Sequence, residues 1–350
     1  MKLIKRLARS LYKRTWPEEF RKISSLRRLK DCVPISTVKQ WREYYAANDV
    51  DLKKRRLLSG IGKDGKAVVD DFLRCQTLFM DLLKESDYLY FEPDDFIAAR
   101  QKEEREKINY AKYRKHFAGG LYDTGAVWYH SGLKRIPFVS GYIKGKDFID
   151  GGAFTGDSAL GFEGYAPNRV YSFEPLPVNQ NYLRQTIKIN NLKRVLPVHL
   201  GLGDKKESLY IKYNPKILNS ASLIMDSEKN TEKAKIDITT LDDFAGENKL
   251  DVGLIKLDVE GFEMKVIRGA QKTIREKRPV LLISIYHGPE DFFEIKPLVE
   301  AWGLRYKFEI GKMDPFGLWS DVMLLGYPEE LTQHNTTQHN TTQHNTTVDC

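Results

Sequence analysis

Cysteine is scarce in this sequence, and long apolar runs are missing. The 350 residues contain three widely spaced cysteines, Cys32, Cys75 and Cys350, which argues against a disulfide framework and against a zinc site with paired ligands. No stretch approaches the roughly 18 to 20 uninterrupted apolar residues that cross a bilayer. The N-terminus also lacks the apolar centre and small-residue cleavage site of a signal peptide. We therefore expect reduced thiols and a cytoplasmic protein.

Net positive charge is confined to one end of the chain. The net charge is +8, but residues 1–30 carry eleven Lys and Arg against two Glu, a net +9, so residues 31–350 sum to −1. Nucleic-acid-binding domains spread basic residues over a whole face, so we expect no nucleic-acid partner.

The basic residues of the N-terminus alternate with apolar ones at helical spacing over residues 1–16. Such helices often lie in the headgroup layer of anionic membranes. We expect residues 1–30 to make a peripheral contact with the inner face of a membrane. The alternative is that the apolar face packs on the protein body.

The chain divides into four regions. After the basic segment, residues 31–140 have few Gly and Pro and are predicted to be a mainly helical accessory region, with the clearest helix at 96–117. Residues 141–329 form the α/β domain described below. Residues 330–350 contain three copies of QHNTT, a composition that cannot build a core, and are predicted to be disordered.

Short β-rich runs alternate with helical segments after residue 140. Strands are predicted at 146–150, 169–173, 195–200, 253–257 and 280–286, and helices at 157–164, 178–191, 241–244 and 263–277. This alternation predicts an α/β fold with a mostly parallel sheet. The runs 306–310 and 322–327 are predicted to close one edge as an antiparallel pair, and the polar stretch 214–235 to form an acceptor-binding lid.

A glycine-rich turn follows the first predicted strand, where residues 148–156 read FIDGGAFTG. Its glycines do not fit the G-x-G-x-x-G spacing of dinucleotide sites, which disfavours a nicotinamide-dependent oxidoreductase. Asp150, at the strand end, would repel a pyrophosphate but suits a ligand with ammonium and sulfonium cations, the charges of S-adenosylmethionine. Glu174 closes the next strand, where a carboxylate can accept both ribose hydroxyls.

Five segments between residues 146 and 328 carry a family pattern: IDGGAFTGDSAL, YSFEPLPVN, LGLGD, IKLDVEGFEMKVIRGA and RPVLLISIYH. Together they resemble the FkbM family of S-adenosylmethionine-dependent methyltransferases, and the fourth segment is the most specific. The resemblance implies a class I methyltransferase fold, which is Rossmann-like, and methyl transfer to a hydroxyl of a sugar or glycan precursor. It implies cofactor binding by Asp150, Gly152, Ala153, Phe154, Gly156, Asp157, Ser158, Glu174 and Pro175.

Two residues at the ends of later strands are candidates for catalysis. An alcohol must lose its proton as it attacks the methyl group, and His287 is a candidate general base near neutral pH, with Asp258 orienting it or the acceptor. A rival hypothesis uses a divalent metal that acidifies the hydroxyl, with candidate ligands Asp258, Glu260, Glu263 and His287. Glu260 and Glu263 are equally consistent with capping of the helix that follows. Lys256, inside a buried strand, is expected to pair with a neighbouring acid.

A different class of function also fits the sequence. The chain could be a catalytically inactive, membrane-associated binding module that has kept the methyltransferase fold. Binding of S-adenosylhomocysteine and its dependence on Asp150 and Glu174 would distinguish the enzyme from the module.

Overall fold

The computed structural model describes residues 35–82, 111–213, 232–313 and 320–332. The predicted membrane segment 1–30, the repeat tail, Cys32, Cys350 and most of the predicted lid lie outside these residues. So does most of the predicted helix 96–117, whose last part, Ala111–His116, forms a 3-10 helix instead of an α-helix. In the part of the chain that the structure describes, no helix is long and apolar enough to cross a membrane.

Three helices form the first described region, the helical module (residues 35–82). They are α1 (Ile35–Ala47), α2 (Val50–Leu58) and α3 (Lys63–Leu82), which agrees with the helical prediction. The buried indole of Trp41 makes edge contacts with Phe72 and Phe292, at ring-centroid distances of 5.7 and 5.8 Å. Cys75 is buried in the same core.

Ten strands and eight further α-helices build the rest of the part that the structure describes. The strands are β1 (Asp147–Gly151), β2 (Val170–Phe173), β3 (Val195–Val198), β4 (Gly201–Gly203), β5 (Glu207–Tyr213), β6 (Glu232–Thr240), β7 (Val252–Leu257), β8 (Val280–Ser284), β9 (Tyr306–Lys312) and β10 (Val322–Pro328). The helices are α4 (Thr124–Tyr129), α5 (Ser140–Ile143), α6 (Asp157–Phe162), α7 (Pro177–Asn190), α8 (Leu241–Glu247), α9 (Glu263–Arg268), α10 (Gln271–Lys277) and α11 (Pro289–Ala301).

The main sheet has seven strands in the order β3-β2-β1-β7-β8-β10-β9. The first five are parallel to one another, and β10 pairs antiparallel with both β8 and β9. The predicted α/β fold, its mostly parallel sheet and its antiparallel edge are therefore confirmed. Since β1, β7 and β8 are buried along their whole length, the sheet holds the core, and its carboxyl edge is left to bear a site.

The sequence prediction differs from the structure in three elements. The predicted helix 263–277 is two helices, α9 and α10, separated at Gly269, where a Cβ would lie 2.0 Å from the carbonyl oxygen of Gly203. Helix α11 was not predicted. A second sheet in the order β4-β6-β5 was also missed, because no strand was predicted between residues 200 and 253 and the start of β6 falls within the predicted lid 214–235.

Candidate active site

A cavity of about 360 Å³ lies at the carboxyl ends of β1, β2 and β7. Its volume falls within the range of small-molecule sites, and its wall contains two groups of side chains. The apolar wall packs around the second sheet and consists of Leu176, Ile211, Ile236, Ile238 and Phe262. The acidic wall consists of Asp123, Asp157, Asp258, Glu260 and Asp321.

Gly152 joins two sides of this cavity. Its φ is +73°, and a Cβ there would lie 1.8 Å from the carbonyl oxygen of Asp258. Only glycine allows this backbone conformation and this close approach together. The turn after β1 is therefore held against the end of β7, and Gly152 and Phe154 line the cavity, as predicted.

Glu174 closes β2 and faces the cavity from a buried position. Its Oε2 accepts a hydrogen bond from the Phe154 N–H at 3.0 Å, and its Oε1 accepts one from the Leu176 N–H at 2.9 Å. Burial raises the pKa of Glu174 to about 7, and those two backbone N–H groups oppose the increase. The Asn179 side chain also hydrogen-bonds to this carboxylate, whose oxygens can still accept hydrogen bonds from ligand hydroxyls.

The start of α6 supplies two more of the predicted cofactor residues. Asp157 accepts hydrogen bonds from the Asp123 and Ser158 N–H groups at 2.7 and 2.9 Å. Burial, followed by the charge of Asp123, raises the pKa of Asp157 to about 7. Ser158 lines the cavity and is fully buried, and its hydroxyl has no hydrogen-bond partner among the described residues, so it is available to a ligand.

Of the nine predicted cofactor residues, six line the cavity: Gly152, Phe154, Asp157, Ser158, Glu174 and Pro175. The wall does not include Ala153, which is buried, or Gly156, whose missing Cβ faces Leu183 of α7 at 2.9 Å. It also does not include Asp150. Sequence spacing places residues near a site but does not determine which of them face it.

Asp150 lies behind Lys256. The Lys256 Nζ is 3.3 Å from Asp150 Oδ1 and donates a hydrogen bond to the Gly152 carbonyl at 2.8 Å, while Ser172 donates to Asp150 Oδ2. The expected ion pair of Lys256 is thus present, and Lys256 lines the cavity where Asp150 was expected to. Burial would lower the pKa of Lys256, but the charge of Asp150 and further carboxylates holds it above its usual value.

His287 lies among three carboxylates and is not on the cavity wall. Its Nδ1 is 2.9 Å from Glu263 Oε1, and its Nε2 is 3.5 Å from Asp258 Oδ1 and 3.7 Å from Glu260 Oε2. Burial would lower the pKa of His287, but these carboxylates outweigh it and hold the pKa well above its usual value. These carboxylates favour the imidazolium, which has no lone pair to accept a proton; the general-base role of His287 stays a prediction. Asp258 and Glu260 do line the cavity.

A divalent metal ion would have to bind to this same cluster of carboxylates and His287. Asp258, Glu263 and His287 place one ligand atom each within 4.8 Å of one another. However, Glu263 already accepts hydrogen bonds from the Val259 and Gly261 N–H groups, at 2.7 and 2.9 Å, as well as its contact with His287. The Glu263 carboxylate is thus engaged in closing the turn that leads into α9, and the imidazolium of His287 neutralises its charge. The donor set therefore fits a proton better than a divalent cation. Glu263 closes the turn before α9, whereas the N-cap of α9, Phe262, has no side-chain capping hydrogen bond, so the expected capping of this helix is not seen.

Several residues of the cavity wall were not predicted from the sequence. Tyr122 and Asp123 come from the segment before α4, Ser320 and Asp321 from the start of β10, and Tyr286 from the residues just after β8. Tyr286 donates a hydrogen bond to Asp258 Oδ1 at 3.4 Å. Tyr286 lies in the fifth family segment but was not singled out, and the other four lie in no motif; only the fold brings the five residues to one place.

The sheet order, with a cavity at its carboxyl edge, is that of the class I methyltransferase fold. Residues 150–307 match the sequence profile of the methyltransferase FkbM domain. A curated relative, "Methyltransferase 1" from Beauveria bassiana, is 26% identical over 164 aligned positions, with 41% of this chain and 66% of the relative covered.

Two solved methyltransferase structures are among those that the chain resembles in part. The FkbM methyltransferase from Methylobacillus flagellatus is 19% identical, with 79% of this chain and 58% of that chain covered and a TM-score of 0.48. An O-methyltransferase from Bacillus cereus, solved with S-adenosylhomocysteine, is 12% identical, with 57% and 80% covered and a TM-score of 0.35. The chain thus spans 66% of the length of the fungal relative and 58% of that of the Methylobacillus structure.

Proposed function

We propose that this protein transfers a methyl group from S-adenosylmethionine to a hydroxyl of a sugar or glycan precursor. The observation that carries the proposal is the convergence of the Gly152 turn, Glu174 and Asp258 on one cavity at the carboxyl edge of the sheet. When bound, S-adenosylmethionine supplies an electrophilic methyl group on a sulfonium.

The cavity fits such a cofactor in its chemistry. The apolar wall offers a surface for a planar base, and Glu174, at the end of β2, offers acceptors for two ribose hydroxyls. Two polar atoms on the wall are buried and have no hydrogen-bond partner within the part of the chain that the structure describes, Ser158 Oγ and Asn179 Oδ1. Buried orphans of this kind are rare, and a polar ligand would satisfy them.

We assign the contact with the acceptor hydroxyl to Asp258. Its carboxylate lines the cavity and receives a hydrogen bond from Tyr286, so it can accept a second one from an acceptor hydroxyl and receive its proton as the oxygen attacks. His287 and Glu263 hold the turn after β7 in place and thereby fix the position of this carboxylate. In-line transfer depends on such positioning and on the exclusion of water by the cavity wall.

Two measurements test the proposal. Calorimetric titration with S-adenosylhomocysteine should show one site per chain, and absence of binding by folded protein would exclude the enzyme. Incubation of a hydroxyl-acceptor panel with [¹³C-methyl]-S-adenosylmethionine should then give O-methyl signals by NMR. Cofactor binding without transfer to any acceptor would instead favour the inactive binding module.

A further inference from the structure

One segment of the cavity wall lies outside the region that matches the family profile. Tyr122, Asp123 and Ala126 line the cavity, whereas the match covers residues 150–307. We call residues 116–123, which run along α7 to the start of α6, the strap. The regular structure of the strap is limited to short 3-10 helices, and it belongs to neither sheet, so other contacts must hold it in place.

The beginning of the strap is attached to α7. The His116 Nδ1 lies 2.8 Å from the Asn190 Oδ1, and the Asn190 amide donates a hydrogen bond to the His116 carbonyl at 2.6 Å. The Ala118 N–H donates to the Thr186 hydroxyl at 3.2 Å. These contacts fix the direction in which the chain approaches the cavity.

The end of the strap is attached to the turn after β1 and to α6. The Thr155 hydroxyl donates a hydrogen bond to the Leu121 carbonyl at 2.8 Å. The Asp123 N–H donates to Asp157 Oδ2 at 2.7 Å. Tyr122 lies between these two hydrogen bonds, so its backbone is fixed from both sides against the elements that carry the predicted cofactor residues.

The strap and the apolar wall approach the cavity from opposite faces of the main sheet. Phe148 of β1 contacts Phe162 of α6, with ring centroids 5.9 Å apart. A Cβ on Gly151 of the same strand would lie 3.3 Å from Leu202 of the second sheet. Since successive residues of a strand point to opposite faces, positions 148 and 151 face opposite sides. The cavity at the strand ends is therefore bounded by the second sheet from one face and by the strap, on α6, from the other.

We propose that the strap completes the cofactor site and that Tyr122 binds the amino-acid half of the cofactor. The inference rests on the proposed function, in which the base lies on the apolar wall and the ribose on Glu174. A ligand that extends from the apolar wall past Glu174 reaches the strap with its other end. An aromatic ring suits the methylene chain and the sulfur of that end. The ring of Tyr122 is supported by a stack on buried Phe117, with centroids 5.1 Å apart.

The first experiment compares two ligands that differ in this half alone. Adenosine has the base and the ribose of S-adenosylhomocysteine but lacks the homocysteine. We expect Tyr122→Ala to weaken the binding of S-adenosylhomocysteine about tenfold and to leave the affinity for adenosine unchanged, by calorimetry and ligand-observed NMR. The unchanged adenosine affinity also shows that the variant is folded. An equal effect on both ligands, or no effect on either, would overturn the proposal.

The matched control removes a tyrosine ring away from the ligand. Tyr210 is 70% exposed on β5 and does not belong to the described cavity wall, so Tyr210→Ala should change neither affinity. If folded wild-type protein bound neither ligand, the proposed function itself would fail. Equal affinities of the wild type for adenosine and S-adenosylhomocysteine would instead reject the role of Tyr122 alone, because the homocysteine would then make no favourable contact.

The second experiment tests whether the attachment of the strap positions Tyr122. Thr186 is buried and does not belong to the described cavity wall, so its effect on a ligand must be indirect. Thr186→Ala leaves the Ala118 N–H without its acceptor and should weaken the binding of S-adenosylhomocysteine about fivefold, whereas Thr186→Ser keeps the hydroxyl and should restore the affinity.

The double variant separates positioning from a general loss of structure. In the Tyr122→Ala background, Thr186→Ala should weaken binding no further, because both changes act on the same contact. Additive losses, or equal losses in Thr186→Ala and Thr186→Ser, would show that the strap does not position Tyr122 for the ligand.

Discussion

Lys256 and Asp150 form a buried ion pair at 3.3 Å in which both side chains are almost completely excluded from solvent. Removal of one partner leaves an uncompensated buried charge. We expect Lys256→Met to lower the free energy of unfolding by about 3–5 kcal/mol, and the double variant Lys256→Met with Asp150→Asn to recover part of it. Urea denaturation followed by circular dichroism measures both.

The pair Lys277–Asp251 is a matched control, since its N–O distance is also 3.3 Å but its side chains are 39% and 64% exposed. Exposed pairs contribute little, so Lys277→Met should change stability by less than about 1 kcal/mol. Equal losses in the two variants would show that burial does not govern the Lys256 pair.

Gly152 is expected to tolerate no side chain. Gly152→Ala places a Cβ against the Asp258 carbonyl in a backbone conformation at φ +73°, so the β1 turn must move and affinity for S-adenosylhomocysteine should fall at least about tenfold. Gly145 has φ +74° and no atom within 4 Å of its Cβ position. Gly145→Ala therefore measures the conformational cost alone, about 1–2 kcal/mol of stability, and should keep the affinity.

Glu174 makes cofactor binding depend on pH. Its pKa of about 7 in the free protein means that it is largely protonated below pH 7, whereas two ribose hydroxyls require the carboxylate as acceptor. Affinity for S-adenosylhomocysteine should therefore rise as pH increases from 6 to 8.

Glu174→Gln should weaken the binding of S-adenosylhomocysteine roughly 10- to 100-fold at pH 8. It should also flatten the pH dependence of this affinity, and calorimetry measures both effects. Glu247→Gln, at an exposed position paired with Lys206, is the control. A pH dependence that persists in Glu174→Gln would assign it to another group, with Asp157 as the next candidate.

His287 should stabilise the protein most at low pH. Its folded-state pKa is raised, so its contribution is complete below the unfolded pKa of about 6.5 and declines as pH rises from there through the folded value. The stability difference between wild type and His287→Gln should therefore be largest near pH 6 and shrink towards alkaline pH. A difference that grows with pH would show that His287 is neutral in the folded protein.

Chelation is expected to leave the enzyme unchanged. Because Glu263 is occupied by backbone N–H groups and His287 holds a proton, turnover and thermal stability after EDTA treatment should match those of untreated protein. Loss of turnover with recovery on addition of a divalent cation would restore the metal hypothesis for Asp258, Glu260, Glu263 and His287.

The sequence predicted those parts of the site that follow directly from strand ends. Glu174 and the Gly152 turn were found because a strand, a turn and a helix succeed one another locally. Asp123 and Asp321 were missed because they are almost 200 positions apart and no local pattern connects them. The protonation of His287 could not be predicted either, since it depends on three carboxylates that meet only in the folded chain.

The second sheet was missed for a similar reason. Ile211, Ile236 and Ile238 alternate with polar residues in β5 and β6, but the intervening sequence is rich in Asn, Ser and Lys and resembles a loop. The side chains of these three isoleucines form the apolar wall of the cavity only when they pack against Leu176. Pairing between strands that are far apart in the chain is the information that a local pattern does not contain.

Helix α11 ties the helical module to the catalytic edge of the sheet. Its Phe292 packs against Trp41 and Phe72, and its Asp291 accepts a hydrogen bond from the Met264 N–H at 2.9 Å, beside Glu263. A chain shortened to residues 141–329 would therefore expose the aromatic side chains of α11. It would also lose the packing that holds α11 beside the turn at Glu263. The accessory helices and the methyltransferase domain should melt as one cooperative unit, with a single calorimetric transition where the sequence suggests two domains.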